Sequence, residues 1–260
     1  MSRIAVEEGL FPKPKKGNGY GLIAVGGDLS PEILVEAYSH GVFPWFDFRE
    51  GTILWYCPYD RFVIFPAEIH VSHSTRNLFN KGIYRISFNT AFREVIRHCS
   101  ELRIDEEGAW LGPQMVEAYT RLHDLGIARS VEVWKGEDLV GGLYGVHMNG
   151  IFAGESMFSL EPGTSKLALV SLARKMEADG EKLIDSRWSV WNWQSISFSP
   201  SASIFRARLT SASLEVPGSR ENMLSPAKIP FIWTPYSPPT RSSPFQTSTL
   251  RAHPRSCSRV

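Results

Sequence analysis

Two acidic residues of this chain lie in predicted strands. Glu155 is the one charged residue inside IFAGESMFS, and Asp185 ends the short strand KLID. A carboxylate on a covered face of a sheet is costly unless it is paired, and strand ends in α/β sheets often bind ligands. Glu155 is therefore a candidate to bind a cation, and Asp185 is a candidate to contact a ligand. The simpler alternatives are a solvated strand face for Glu155 and a turn-starting residue for Asp185.

Two further groups of residues suggest contact with a nucleic acid. Ser165 and Lys166 open a predicted helix, and the free backbone N–H groups of a helix start favour phosphate. An ordinary helix cap explains the same pattern. The rings of Trp45 and Trp110 could stack on a base, although large aromatic side chains more often belong to the core.

The elements that must position these residues follow from the pattern of apolar and turn residues. The residues Asn149-Gly150 separate two predicted strands and form the preferred two-residue hairpin turn. Strict alternation along the second strand puts Glu155 on the same face as Met157. Helices and strands together predict an α/β (α+β) fold around a mostly antiparallel sheet. The other predicted elements are a helix from Pro31 to about Gly41, the strands YRISFN, SVEVW and KLID, and the helices NTAFREVIRHCS, GPQMVEAYTRLHDLG and TSKLALVSLARKMEADG.

Charge is distributed unevenly along the 260 residues, although the net charge is only +1. Residues 1–185 hold 25 acidic and 19 basic residues, whereas residues 186–260 hold 2 acidic and 9 basic ones. The second segment also contains 17 serines and 9 prolines. A folded domain seldom divides its charge in this way, so the sequence changes character directly after Asp185.

Cysteine and histidine positions argue against disulfide and metal sites. The three cysteines have no paired spacing, which favours a reducing compartment. His70 and His73 lack further ligands at metal spacing and are interpreted as a surface pair. No apolar run has the length of a signal peptide or a membrane span. We therefore expect a cytoplasmic protein without metal or membrane association.

Several segments, taken together, closely resemble the bacterial leucyl/phenylalanyl-tRNA–protein transferases. They lie in order between about Gly19 and Asp185. The resemblance implies a small N-terminal domain over residues 1–60 and a domain similar to the Gcn5-related acetyltransferases over residues 61–185. Residues 186–260 are then an aberrant, poorly structured tail rich in Ser, Pro and Arg. The segments are GLIAVGGDLSPEILVEAYSHGVFPWF, ILWYCPYDR, HVSHS, AYTRLHDLG, SVEVW, LVGGLYGV, FAGESMFS, SK and LID.

The resemblance also implies an activity and a set of site residues. Members transfer Leu or Phe, less readily Met, from aminoacyl-tRNA to proteins that begin with Arg or Lys, which marks those proteins for degradation under the N-end rule. They need no cofactor and no metal, and we expect a monomer. Glu155 and Asp185 match the acidic catalytic positions. The aminoacyl pocket maps to Leu143, Phe152, Met157 and Leu172, and the tRNA contacts map to Trp45, Trp110, Ser165 and Lys166.

The sequence departs from the family pattern after Asp185, where Ser186-Arg187 stands in place of Cys-Gln. The family's Gln is proposed to act with the Asp in a proton relay. We interpret the departure as a change of reading frame, and a genuine disordered extension is the alternative. A second functional hypothesis follows: an impaired remnant that binds aminoacyl-tRNA without transfer. An acyl-CoA acetyltransferase is disfavoured, because EPGTSK lacks a Gly-rich pyrophosphate loop.

Overall fold

The structure of the chain is a computed structural model that describes residue 11 and residues 21–47, 51–58, 61–102, 111–186 and 205–207. It confirms a mixed fold of helices and sheets. The predicted tail lies outside the described residues, except for Ser186 and one short strand at residues 205–207. In the described part of the chain, no helix has the length and hydropathy that crossing a membrane requires.

An N-terminal module, residues 21–58, contains one helix and a three-stranded antiparallel sheet in the order β1-β3-β2. Proline at the first helical position suits the helix start, because its missing N–H would have no intrahelical partner there. The predicted helix after Ser30 is therefore confirmed. The elements are β1 (Leu22–Val25), α1 (Pro31–Ser39), β2 (Phe43–Asp47) and β3 (Thr52–Tyr56).

A seven-stranded sheet forms the centre of the remaining chain, in the order β10-β4-β9-β8-β7-β6-β5. All neighbouring strands are antiparallel except β8 and β9, which are parallel. The strands are β4 (Arg61–Ile64), β5 (Tyr84–Phe88), β6 (Ala128–Lys135), β7 (Asp138–Met148), β8 (Ile151–Ser159), β9 (Leu183–Ser186) and β10 (Phe205–Ala207).

Helices cover both faces of this sheet. The helices α3 and α4 pack on one face, together with α1 of the N-terminal module, and α5 packs on the other. The helix α5 also makes the crossover that parallel strands require, from the end of β8 to the start of β9. The helices are α2 (His73–Asn80), α3 (Phe92–Glu101), α4 (Pro113–Asp124) and α5 (Thr164–Ala178).

Two large hydrophobic clusters fill the two interfaces. The first, which we name the α3/α4 cluster, joins residues of the N-terminal module such as Leu34 and Trp55 to Tyr119 and Tyr144 of the larger unit. The second, named the α5 cluster, contains Leu143, Phe152 and Leu172. Because the α3/α4 cluster continues into the N-terminal module, that module is packed against the larger sheet through a shared core. The proposed boundaries at residues 60 and 185 stay a prediction.

The hairpin between β7 and β8 has the turn that its sequence predicts. Asn149 and Gly150 have φ values of 54° and 76°, as a type I′ turn requires. Further along, the register shifts between Tyr144 and Gly145 on β7, which leaves Glu155 as an extra residue on β8. A bulge of this kind breaks the strict alternation of side chains.

The bulge corrects one expectation from the sequence. Glu155 contacts side chains of the α3/α4 cluster, whereas Met157 packs against the α5 cluster. The two side chains therefore lie on opposite faces, although they are two residues apart. A side chain at position 145 would not fit beside the bulge, because a Cβ there would lie 2.6 Å from the Phe152 ring.

Candidate functional site

The carboxylate of Glu155 is buried, with 5% of the residue exposed. Two tyrosine hydroxyls donate to it: Tyr38 to Oε1 at 2.5 Å and Tyr119 to Oε2 at 3.1 Å. The two hydroxyls are also 2.7 Å from each other. Tyr38 comes from α1 and Tyr119 from α4, so two separate helices fix the orientation of one carboxylate. Hydroxyl donors orient a carboxylate without cancelling its charge.

The carboxylate of Asp185 is also buried, and it forms an ion pair with Arg61. The Nη2 group of Arg61 donates to Oδ2 of Asp185, and Nε lies 3.4 Å from Oδ1. The third side of the guanidinium donates to the carbonyl oxygen of Gly41 at 2.9 Å. Its carbon lies 5.2 Å from the centre of the Phe43 ring. This arrangement uses the planar fork of arginine against both oxygens of one carboxylate.

Parallel pairing of β8 and β9 brings the two acids onto neighbouring strands. Asp185 lies opposite Ala153, two residues before Glu155, and the ladder between the strands ends at the next pair, Gly154 and Ser186. The side chain of Asp185 points to the face that carries Arg61 and Phe43, which is also the face of Tyr38 and Glu155. The two predicted catalytic acids therefore lie on one face, near the end of the β8–β9 ladder.

The four residues predicted for the aminoacyl pocket come together in the structure. Leu143 and Phe152 are almost fully buried, Leu172 is buried, and Met157 is half-buried against them. Leu143 and Met157 are directly opposite across the β7–β8 ladder. All four lie on the α5 face, so the sheet separates them from the carboxylates of Glu155 and Asp185. Of the four, Met157 is the one that is not buried.

The residues predicted to contact tRNA are more widely spread. Trp45 is a half-buried residue of β2, opposite Leu54, and Trp110 lies outside the described residues. Ser165 and Lys166 are in the first turn of α5. The backbone N–H of Ser165 already donates to the hydroxyl of Ser159 at 2.9 Å. That helix start is therefore partly occupied by a side-chain acceptor.

Three further basic residues on and just after α5 do not form one compact patch with Lys166. Arg174 and Lys175 lie more than two turns along α5 from Lys166. Arg174 stacks on the Phe79 ring at 4.5 Å, and Lys175 pairs with Asp179 at 2.9 Å. Lys182 follows the end of α5. The positive charges are therefore spread along the length of α5.

A third buried acid, Glu132, shows what a carboxylate with a purely structural role looks like. The residue is fully buried in β6. It accepts from the hydroxyls of Ser87 at 2.6 Å, Thr90 at 3.0 Å and Ser130 at 2.6 Å, and from the backbone N–H of Ala91 at 3.4 Å. Ala91 precedes α3, so Glu132 supports the start of that helix.

In the described residues, no group of three or more His, Cys, Asp or Glu side chains could hold a metal ion.

Sequence reasoning missed the partners of both site acids. Tyr38 and Tyr119 recur with the apolar residues of their helices, and a buried tyrosine generally needs a partner for its hydroxyl. Arg61 opens the apolar run RFVIF, where a cation needs an anion. Those signals mark each residue as needing a partner. They do not show which of the many acids provides it.

Comparison with known sequences gives matches over most of the chain. The family described as leucyl/phenylalanyl-tRNA protein transferase matches residues 63–202. The family described as leucyl/phenylalanyl-tRNA protein transferase N-terminal domain matches residues 27–58. The first match begins within β4 and includes Glu155 and Asp185. It extends 17 residues beyond Asp185.

Individual relatives carry the same description. The leucyl/phenylalanyl-tRNA–protein transferase of Myxococcus xanthus strain DK1622 is 45% identical over 194 residues, which is 71% of this chain and 82% of that protein. The Flavobacterium psychrophilum protein is 46% identical over 67% of this chain and 83% of its own length. The Cellvibrio japonicus protein is 50% identical over 64% of this chain and 70% of its own length.

A solved structure, that of L-PGS from Bacillus licheniformis, shows a partial likeness in backbone, with a TM-score of 0.37 and 13% identity. The likeness covers 60% of this chain and 50% of that one. The family assignment depends instead on the sequence matches, which span both the N-terminal module and the larger sheet. The chain belongs to the leucyl/phenylalanyl-tRNA protein transferase family.

Proposed function

We propose that this chain transfers Leu or Phe, and less readily Met, from aminoacyl-tRNA to the N-terminal Arg or Lys of acceptor proteins. The observation that carries the proposal is the pair of buried, oriented acids on β8 and β9, within a chain that belongs to this family. The product would be a protein marked for degradation under the N-end rule. We expect the chain to act as a monomer in the cytoplasm.

The chemistry requires modest help from the protein. The reaction is aminolysis of an ester. The neutral α-amino group of the acceptor attacks the carbonyl carbon, the ester C–O bond to the tRNA breaks, and the proton that the nitrogen loses passes to the leaving ribose oxygen. An α-amino group has a pKa near about 8, so a useful fraction is neutral at pH 7. The enzyme must mainly position the two substrates and stabilise the charge that develops on the carbonyl oxygen.

Glu155 is suited to bind the cation of the acceptor's first residue. Its carboxylate is held by the hydroxyls of Tyr38 and Tyr119, which fix its direction and carry no positive charge of their own. An Arg or Lys side chain supplies the matching positive charge, whereas an acidic first residue would be repelled. Asp185 contributes a second oriented carboxylate on the neighbouring strand.

The donor amino acid requires an apolar slot for its Leu or Phe side chain. We assign that slot to the α5 face, at Met157 and its neighbours Leu143, Phe152 and Leu172. Met157 is two residues from Glu155 along β8, just after the bulge. The acceptor cation and the donor side chain would then approach the same part of β8 from opposite faces. For the tRNA we propose contacts with Trp45, Trp110, Ser165 and Lys166.

A transfer assay tests the proposal. The 260-residue chain is incubated with tRNA that carries radiolabelled Leu or Phe, and with peptides that differ only in a first residue of Arg, Lys, Asp or Glu. Label should appear on the Arg and Lys peptides alone. Equal labelling of the Asp and Glu peptides would contradict the role of Glu155 as cation acceptor. No labelling of any peptide would contradict the proposed activity of this chain.

The same assay separates a transferase from an impaired remnant. A second protein restores the family's Cys-Gln and the closing segment after Asp185. Transfer by this second protein but not by the 260-residue chain, with both proteins binding aminoacyl-tRNA, would support the impaired remnant. Equal transfer by both proteins would contradict the change of reading frame as the cause of any functional loss.

A further inference from the structure

One short segment of the N-terminal module is connected to both site acids. Tyr38 at the end of α1 donates to Glu155, and the carbonyl of Gly41, three residues later, accepts from Arg61. Arg61 in turn holds Asp185. The segment from residue 38 to residue 41 thus connects to both carboxylates, one directly and one through a guanidinium.

Arg61 has an environment that leaves little freedom of orientation. Only 4% of the residue is exposed. Its guanidinium donates to Asp185 on one side and to Gly41 on another, and it lies over the ring of Phe43. Arg61 is on β4, whereas Gly41 and Phe43 belong to the N-terminal module and Asp185 to β9. The guanidinium consequently links three separate parts of the chain: β4, β9 and the N-terminal module.

A contribution to stability does not by itself explain this buried ion pair. A buried ion pair often stabilises a fold no more than apolar residues of the same volume would, because both charges must leave water. What a bidentate pair does provide is a fixed geometry for the carboxylate. An Arg at this place therefore suggests that the direction of the Asp185 carboxylate matters.

We propose that Arg61 is a positioning residue, which holds the carboxylate of Asp185 in one orientation and makes that orientation depend on the N-terminal module. The consequence for catalysis rests on the proposed transfer function. The proposed effect of Arg61 on the orientation of Asp185 does not depend on that function, because it concerns contacts within this chain. Arg61 acts through Asp185, and the substrates need not touch it.

The chain offers a matched control in the exposed pair of Arg93 and Asp124. In that pair a single nitrogen, Nη2 of Arg93, approaches both carboxylate oxygens of Asp124, at 3.1 and 2.9 Å. The side chains of that pair are 66% and 56% exposed. Comparing Arg61→Met with Arg93→Met separates the effect of losing the buried Arg61–Asp185 pair from the effect of losing an exposed Arg–Asp pair.

Two measurements on the full chain test the proposal. Amide hydrogen exchange should become faster by about tenfold or more at β9 and at residues 41–43 in Arg61→Met, with smaller changes in β5–β7. It should be unchanged there in Arg93→Met. Transfer by Arg61→Met should fall by roughly 100-fold in kcat with little change in the KM for aminoacyl-tRNA, as expected for a misplaced group. Arg61→Lys, which keeps the charge but loses the fork, should be intermediate in both.

The outcomes are distinct. Exchange in β9 that equals that of the parent chain overturns the proposal, and so does a uniform increase over β4–β9, which would mark a general loss of stability. If Arg61→Met does not fold, the comparison of Arg61→Lys with the parent decides by the same criteria. A parent chain without transfer would contradict the proposed function, while the exchange data would still decide the role of Arg61.

Discussion

The hydroxyl of Tyr38 is a small group whose removal should have a large effect. In Tyr38→Phe the ring is kept and only the oxygen is lost, so packing in the α3/α4 cluster should change little. The oxygen contacts Glu155 at 2.5 Å and Tyr119 at 2.7 Å. The buried carboxylate would keep the donor of Tyr119 at 3.1 Å and lose the shorter of its two tyrosine contacts.

The expected cost follows from that loss. A hydrogen bond to a charged group contributes about 1.5–3 kcal/mol, and a buried acceptor that loses its donor retains its desolvation cost. We therefore expect the free energy of unfolding to fall by about 2–3 kcal/mol. For a chain of this size that corresponds to a decrease in Tm of roughly 4–12 °C.

A second tyrosine provides the control. Tyr84 also donates its hydroxyl to a glutamate, Glu161, at 2.7 Å, but the side chain of that glutamate is 29% exposed. Water can replace the lost donor there, so Tyr84→Phe should cost less than about 1 kcal/mol. Urea unfolding of both variants, followed by circular dichroism, measures the difference. If the two substitutions lower the free energy of unfolding by amounts that agree within about 0.5 kcal/mol, burial does not increase the contribution of the Tyr38–Glu155 hydrogen bond to stability.

Three further predictions concern the substrates and one surface cluster. Met157→Ala should weaken the use of both Leu-tRNA and Phe-tRNA by about 1–3 kcal/mol in apparent specificity, measured as kcat/KM for each, and unchanged values would remove Met157 from the slot. Trp45→Ala should weaken tRNA binding by about 1–3 kcal/mol in a filter-binding assay if the ring stacks on a base, whereas parent-like affinity would assign the ring to the core. Hydrogen bonds from Lys135 and Tyr84 hold the pKa of Glu161 below its ordinary value, so its contribution to stability is present above the ordinary pKa and is lost as the pH falls through the lowered one. Carboxyl NMR titration should show the pKa of Glu161 returning toward its ordinary value in Lys135→Met, and no movement would exclude the lysine as the main cause.

Much of the local structure could be predicted from sequence because its causes are local. Pro31 begins α1 where a missing N–H has no cost, and Asn149-Gly150 adopts the positive φ values that a two-residue hairpin needs. The sequence also made Glu155 and Asp185 candidates, because one lies in an otherwise uncharged strand and the other ends a short strand. The family resemblance came from ordered segments of sequence, and the comparisons confirmed it.

Tertiary structure alone decided which groups the acids contact. Arg61 and Asp185 are 124 residues apart in sequence, and Tyr38 and Glu155 are 117 apart. No periodicity connects such positions, because their contact depends on strand order and on the packing of α1 against the sheet. The bulge at Glu155 likewise changed which side chains of β8 share a face, in a way that sequence periodicity did not reveal. It shifted the register by one residue, so the acid and Met157 lie on opposite faces where strict alternation had placed them together.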